Sequence, residues 1–236
     1  MNDQWSCATT RQQTRHCKLQ AVTIKIVILI VIALLMWGAF FIDTPVRSAI
    51  LHWEGVGWDH SSAKTFVAAI SRYGDWPELM LLGCVGFFIA RVFYSRKWQR
   101  ILIIAMIAST LAGTLTNTLR LTTGRTRPRV ALPEKQGWYG LYHHGKCLVG
   151  CAEFNSFPSG HTATAVGFAT VILLESSFWG ILAMVLATAV ASSRMLLGAH
   201  HPSDLLAAII LSVGVAWVCW NYFNQYCPKW LERLVR

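Results

Sequence analysis

The side chains able to do chemistry in this chain gather in three short stretches. RLTTGRTRPR runs from Arg120 to Arg129, FPSGHTATAVGF from Phe157 to Phe168, and SSRMLLGAHHPSD from Ser192 to Asp204. Guanidinium groups hold phosphate oxygens through charge-assisted, often bidentate hydrogen bonds. Histidine can attack phosphorus or carry a proton near neutral pH. Ser159 and Gly160 have the form of a helix start, whose free N–H groups and positive dipole end favour an anion. These residue types suit phosphoryl transfer, where positioning and charge stabilisation dominate. Each stretch also has a purely structural reading: arginines snorkelling at a membrane surface, Ser159-Gly160 as a cap alone, Asp204 as a first-turn acid after Pro202. Ionisable groups at mid-depth in a bilayer cost about 2.5–3.5 kcal/mol each, so three clusters together point to a function.

The elements that must position them are membrane helices. Hydrophobic residues make up 54% of the chain and charged residues 14%, against about 25% charged in a soluble domain. The apolar residues come in blocks. Ile26 to Ile42 holds no charge, and with Leu19 to Lys25 it exceeds the roughly 20 residues that cross a bilayer. Five more segments follow, at 77–94, 98–119, 160–175, 178–196 and 203–222, with only Glu175-Ser176-Ser177 separating the fourth span from the fifth. That pair predicts a tight helical hairpin. The expected fold is all-α, a polytopic membrane protein with six transmembrane helices. A polar, poorly ordered cytoplasmic segment 1–18 precedes the six-helix domain 19–223, and a cytoplasmic tail 224–236 follows it. The first apolar run is longer than the core of a signal peptide and no small-x-small cleavage site follows, so it reads as a span.

Basic residues set the orientation. With the N-terminus inside, the cytoplasmic segments carry Arg11, Arg15, Lys18 and Lys25, then Arg91, Arg96, Lys97 and Arg100, then Lys229, Arg233 and Arg236. The first outer segment, 43–76, is net acidic. Within it Phe66, Ile70 and Tyr73 fall at helical spacing, which predicts a short interfacial helix. Asp75 as a cap, with Pro77 in the first turn, then starts the second span. In the third span Ala105, Ser109 and Gly113 form a small-residue stripe for close helix packing. The outer connection 120–159 departs from the charge rule with Arg120, Arg125, Arg127, Arg129, Lys135 and Lys146, and needs a local reason. All three chemical stretches emerge on this outer face.

The net charge of +10 is thus topology plus that cluster. With no basic stripe on a sizeable soluble domain, nucleic-acid binding is disfavoured. Cys147 and Cys151 share the outer connection, where an oxidising compartment would allow a disulfide. Neighbouring His143 and His144 make a metal site conceivable, although no spacing matches a strong zinc pattern. Both possibilities stay open.

On the three stretches the chain resembles the type 2 phosphatidic acid phosphatase superfamily, membrane lipid phosphate phosphatases related to vanadium haloperoxidases. That family reads lysine, six residues, Arg-Pro; then Pro-Ser-Gly-His; then Ser-Arg, five residues, His, three residues, Asp. Here Pro158-Ser159-Gly160-His161 matches without change, as does Ser193-Arg194 with His200 and Asp204. Arg120, six residues, Arg127-Pro128 keeps the first spacing but puts a planar fork where the family has a compact ammonium.

The resemblance implies a role for each matching residue. His200 would be the nucleophile and become a phosphohistidine, with Asp204 holding its second ring nitrogen. His161 would be the general acid, then the base for water. Arg120, Arg127, Arg194, the Ser159 hydroxyl and the N–H groups of Ser159 and Gly160 would cradle the phosphate. His201 sits one place too late for this spacing. Arg125 and Arg129 are extra and would face lipid headgroups or substitute locally. No carboxylate cluster is available for magnesium, so no cofactor is expected. The implied substrate is an envelope lipid with its tails between helices: phosphatidic acid, phosphatidylglycerol phosphate, undecaprenyl pyrophosphate or lipid A. The implied place is the plasma or inner membrane, both termini cytoplasmic, the site outside, with no obligate protein partner. The alternatives are a lipid phosphotransferase sharing the first step, a non-catalytic anion-binding or transport protein with no need of a histidine–aspartate pair, and haem ligation by His161 and His200, which three nearby arginines oppose.

Overall fold

The computed structural model describes residues 3–55, 61–130 and 136–235. Lys135 and Arg236, which entered the charge pattern, lie outside the described residues. Helix α1 (Asp3–Gly55) carries the first apolar block. The N-terminal segment expected to be poorly ordered belongs to this helix, and so do the first residues of the expected outer loop. Asp43, Pro45 and Arg47 interrupt the apolar run and read as a loop, yet the helix passes through Pro45. The side chains of Asp43 and Arg47 meet partners that the sequence does not reveal.

Helix α2 (Ser62–Tyr73) starts where Ser61 Oγ accepts the Lys64 N–H at 3.1 Å. Helix α3 (Trp76–Val92) starts on Asp75, whose Oδ1 accepts the Trp76 N–H at 2.8 Å. Then come α4 (Arg96–Thr123), α5 (Gly160–Glu175), α6 (Ser177–Leu196), α7 (Pro202–Gln225) and the short α8 (Lys229–Leu234). The stretch Val22–His52 of α1 and the helices α4, α6 and α7 are long and apolar enough to cross a membrane, and the chain is a multi-pass membrane protein. Helices α3 and α5 have 17 and 16 residues and fall short of that length.

Helix α5 packs against α4, α6 and α7 and is buried around most of its circumference, as an apolar helix with no polar face must be. The small-residue stripe permits this. Ala105, Ala108, Ser109 and Ala112 are fully buried, and Ser109 Oγ donates to the Thr164 carbonyl at 2.9 Å. The α5–α6 hairpin is as tight as Glu175-Ser176-Ser177 predicts. A Cβ on Gly180 would sit 2.1 Å from Leu173 Cα, so only glycine lets the two helices approach this closely. Ile101, Ile104, Phe168, Val171 and Phe223 form the core at one end of the bundle. There Arg100 donates to the Phe223 carbonyl at 2.8 Å and to Asn224 Oδ1 at 2.7 Å, so a basic residue read as a topology signal also closes the end of α7.

The connection from α4 to α5 folds over the other end of the bundle. It holds a hairpin of β1 (Tyr142–His143) and β2 (Lys146–Cys147), turned by His144 and Gly145 at φ 46° and 74°. His143 stacks edge-on against Tyr139. Cys147 and Cys151 are free thiols, and among the described residues no three metal-ligating side chains come together.

Candidate active site

Consecutive antiparallel helices bring four ends together: the last turn of α4, the first of α5, the last of α6 and the first of α7. Ser159 N–H donates to the Asp204 carbonyl at 3.2 Å, and Arg129 N–H to the Gly198 carbonyl at 3.1 Å. Thr123 Oγ1 donates to the Phe157 carbonyl at 2.8 Å. All three motif stretches are therefore stitched into one place. Gly160 has a steric reason to be glycine, since its missing Cβ would lie 3.0 Å from Asn117 Oδ1 and 3.7 Å from an Arg120 terminal nitrogen.

His200 is fully buried in the turn between α6 and α7. Its Nδ1 lies 2.7 Å from the Ser156 carbonyl, an acceptor only, so Nδ1 carries the hydrogen and Nε2 keeps a lone pair. That Nε2 is buried without a protein partner. The Asp204 carboxylate, expected to hold Nδ1, stands 3.7 Å away and acts through its charge. Burial pushes His200 down to about 4 against the opposing pull of Asp204, which leaves the ring neutral at physiological pH.

The charges of Arg194 and Arg127 act on His200, and those of Arg194 and Arg120 act on Arg127. The Nε atoms of Arg120, Arg127 and Arg194 are buried and lack a protein partner, an expensive arrangement unless an anion joins them. Arg127 is drawn down to about 10, by burial first and then by the charges of Arg129, Arg194 and Arg120. It remains cationic at neutral pH, and the cluster is close enough to repel itself. His161 lies within reach of the charges of Arg194, Asp75, His200 and Arg120. Ser159 is fully buried and its Oγ lies 2.9 Å from Thr162 Oγ1. The sequence reading assigned its N–H to a phosphate, but that N–H is already given to Asp204. Its hydroxyl and the N–H of Gly160 are the groups left to serve.

The second histidine of the pair turns elsewhere. His201 Nε2 donates to the Thr126 carbonyl at 3.2 Å, and the residue lines a separate cavity of about 370 Å³ with Asp43, Arg125 and Trp138. Its backbone N–H donates to Asp204 Oδ2 at 2.7 Å.

Arg125 is the residue the sequence misplaced. It faces neither headgroups nor the arginine cluster. Its guanidinium is buried, pairs with Asp204 Oδ1 and Asp43 Oδ2, donates to Ser203 Oγ at 2.7 Å, and lies 4.7 Å from the Trp138 ring centroid. Asp43 in turn accepts from Ser203 N–H at 3.0 Å. Ser156 Oγ donates to Asp204 Oδ2 at 2.5 Å. The Asp204 carboxylate is thus held by Arg125, Ser156 and the His201 backbone N–H. Two more contacts escaped the sequence reading: Asp75 Oδ2 lies 3.4 Å from His161 Nε2, and Arg194 donates to Ser71 Oγ at 2.7 Å.

Fold and site together define a helical membrane protein whose helix ends bring together two histidines, an aspartate and three arginines whose Nε atoms are buried without a protein partner. The chain belongs to the PAP2 superfamily, whose family model matches residues 98–226. It is 26% identical over 160 residues to the lipid A 1-phosphatase of Rhizobium etli, covering 63% of this chain and 66% of that protein. It is 36% identical over 86 residues to the putative undecaprenyl-diphosphatase YbjG of Escherichia coli K12, covering 34% of this chain and 40% of that protein. The chain thus spans less than two thirds of the length of either relative. The crystal structure of Aquifex aeolicus LpxE superposes with a TM-score of 0.48 at 20% identity, covering 68% of this chain and 86% of that one.

Proposed function

We propose that this chain is a metal-independent membrane lipid phosphatase. It would hydrolyse a phosphomonoester or pyrophosphate of an envelope lipid through a phosphohistidine. The observation that carries this reading is the His200 ring: neutral, its Nδ1–H fixed on Ser156, its Nε2 lone pair buried without a protein partner, and the charges of Arg194 and Arg127 acting on it. Names of the relatives, a lipid A phosphatase and an undecaprenyl-diphosphatase, support an anionic lipid as substrate.

In the first step Nε2 of His200 bonds to phosphorus as the bond from phosphorus to the lipid oxygen breaks. His161 gives its proton to that oxygen. In the second step water attacks the phosphohistidine, His161 takes back a proton, and inorganic phosphate leaves with His200 restored. Arg120, Arg127 and Arg194, with the Ser159 hydroxyl and the Gly160 N–H, hold the oxygens through both steps. Asp204 stabilises the cationic phosphohistidine. The guanidiniums supply the charge that a metal would otherwise bring.

This reading completes the membrane layout. Helices α3 and α5, about 24–26 Å long at 1.5 Å per residue, are the two remaining spans of the six. Helix α2 lies at the outer surface, which its exposed Phe66 and Tyr73 favour. The basic residues at the core end of the bundle support a cytoplasmic position for both termini and an outer position for the site.

The test is phosphate release by the purified chain in detergent micelles. The panel is phosphatidic acid, phosphatidylglycerol phosphate, undecaprenyl pyrophosphate and lipid A, each with and without EDTA. Turnover of at least one lipid, undiminished by the chelator, with an acid-labile phosphoenzyme is the expected result. Release from none of them, or equal release by His200→Ala, overturns the reading.

A further inference from the structure

One turn of chain outside the three motifs reaches into the site. Ser71 lies in the last turn of α2 and Asp75 caps the start of α3, four residues apart. Ser71 is buried and its Oγ receives a hydrogen bond from Arg194 at 2.7 Å. Asp75 presents two oxygens to two tasks, Oδ1 capping α3 and Oδ2 standing 3.4 Å from His161 Nε2. Gly74 between them lies where a Cβ would collide with Val190 of α6 at 2.2 Å, so this corner is pressed against the helix that carries Arg194.

We propose that Asp75 and Ser71 are positioning residues of the reaction, Asp75 acting through His161 and Ser71 through Arg194. The inference rests on the phosphatase reading and adds two residues to it. A histidine acting as general acid must be in its charged, doubly protonated form before it can donate. The charged and titratable groups acting on His161 are Arg194 from α6, Arg120 from α4, His200 from the α6–α7 turn and Asp75 from the α2–α3 corner. Two are permanent cations and one is a histidine. Asp75 is the single anion in that set, and it stabilises the imidazolium where the arginines oppose it. When His161 hands its proton to the leaving oxygen, Asp75 stays ionised and the ring becomes neutral. A carboxylate fixed on one ring nitrogen also sets the ring's orientation. Ser71 does the corresponding work for Arg194 by fixing one terminal nitrogen of the fork.

Leaving-group chemistry separates this role from mere capping of α3. An alkyl phosphate releases a poor leaving group and needs the acid. p-Nitrophenyl phosphate releases a stable anion and does not. Asn caps a helix nearly as well as Asp, so Asp75→Asn removes the charge and keeps the cap. The experiment measures both substrates with the purified full chain in detergent, for wild type, Asp75→Asn, His161→Ala and the double variant. Asp75→Asn is expected to slow a long-chain alkyl phosphate about 100-fold, within the range of general-acid effects. It should leave p-nitrophenyl phosphate within a few-fold and move the alkaline limb of the pH–rate profile to lower pH. The double variant should be no slower than His161→Ala alone. Ser71→Ala is expected to raise KM for both substrates with kcat little changed.

Equal losses on both substrates, an unmoved pH profile, or additive losses in the double variant overturn the role of Asp75. Retained p-nitrophenyl phosphate turnover reports that the variant is folded. A wild-type chain that releases phosphate from none of the four lipids of the panel, or does so equally well as His200→Ala, refutes the phosphatase reading itself.

Discussion

The Nδ1–H of His200 is donated to the backbone carbonyl of Ser156 at 2.7 Å, while the Asp204 carboxylate stands 3.7 Å from the same nitrogen. A carbonyl cannot donate, so the hydrogen stays on Nδ1 and the attacking lone pair stays on Nε2 whatever happens to the carboxylate. This decides between the two adjacent histidines. His200→Ala is expected to lower turnover on the order of 10⁴-fold or more, as removal of a nucleophile does, and to abolish the phosphoenzyme. His201→Ala keeps the backbone N–H that serves Asp204 and loses a ring that faces another cavity, so turnover should stay within about ten-fold. Steady-state phosphate release and acid-quench labelling of both variants check this, and the reverse order would refute the assignment.

Arg125 carries a stability prediction. It is the shared counter-ion of two buried carboxylates, Asp43 and Asp204. Arg125→Met would leave both uncompensated, a change that costs about 3–5 kcal/mol when one partner of a buried pair is removed. Lys would not rescue it fully, because one ammonium cannot span Asp43, Ser203 and Asp204 as a planar fork does. Adding Asp43→Asn to Arg125→Met relieves one of the stranded charges and should recover part of the loss. Thermal unfolding of Arg125→Met, Asp43→Asn and the double variant in one detergent tests the coupling, and strictly additive losses would count against it.

These contacts explain what the sequence could and could not disclose. Four of the six expected spans were legible because apolar blocks are local patterns, whereas α3 and α5 fall short of a spanning length. The site motifs were legible because Arg120 and Arg127, or Arg194, His200 and Asp204, sit close in sequence on the same helix end or turn. Asp43 was not. Its partner Ser203 is 160 residues away, and an acid at the end of an apolar run reads as loop charge when that partner is unseen. Arg125, Ser71 and Asp75 escaped for the same reason, each meeting a partner from another helix. Asp75 was read correctly as a cap, but one oxygen fills that role and the other remained unassigned. Ser159 was misread in one detail, because its free-looking N–H is consumed by a carbonyl 45 positions along the chain, that of Asp204.

Acid should weaken the fold through the same histidines. Burial holds His200 near 4 in the folded chain, against about 6.5 when unfolded. Below 6.5 the unfolded chain binds a proton that the folded chain refuses. The contribution is therefore complete above pH 6.5 and is lost as pH falls from there towards 4. Burial pushes His201 the same way, with the Arg125 charge adding to it. The loss traceable to His200 is roughly 3 kcal/mol. Unfolding midpoints between pH 7.5 and 4 should fall more steeply for wild type than for His200→Gln, which has nothing to titrate there. Parallel curves would show that the buried imidazole does not set the acid limit.

The departure at Arg120 and the tightness at Gly160 can be tested together, since the two meet. Arg120 brings its guanidinium within 3.7 Å of where a Gly160 Cβ would be, and Asn117 Oδ1 stands at 3.0 Å from that point. Gly160→Ala should therefore push Arg120 and Asn117 aside rather than unfold the chain, raising KM for the lipid phosphate about ten-fold, a shift of ~1.4 kcal/mol. Arg120→Lys removes the bulky fork while keeping a charge, so it should cost little alone and should soften the effect of Gly160→Ala in the double variant. Arg120→Ala removes the charge and should cost about 100-fold in kcat/KM, in line with a lost charge-assisted contact in the transition state. If Gly160→Ala is equally harmful with Arg or Lys at 120, the collision does not run through the guanidinium and the phosphate-binding role of Arg120 loses its geometric support.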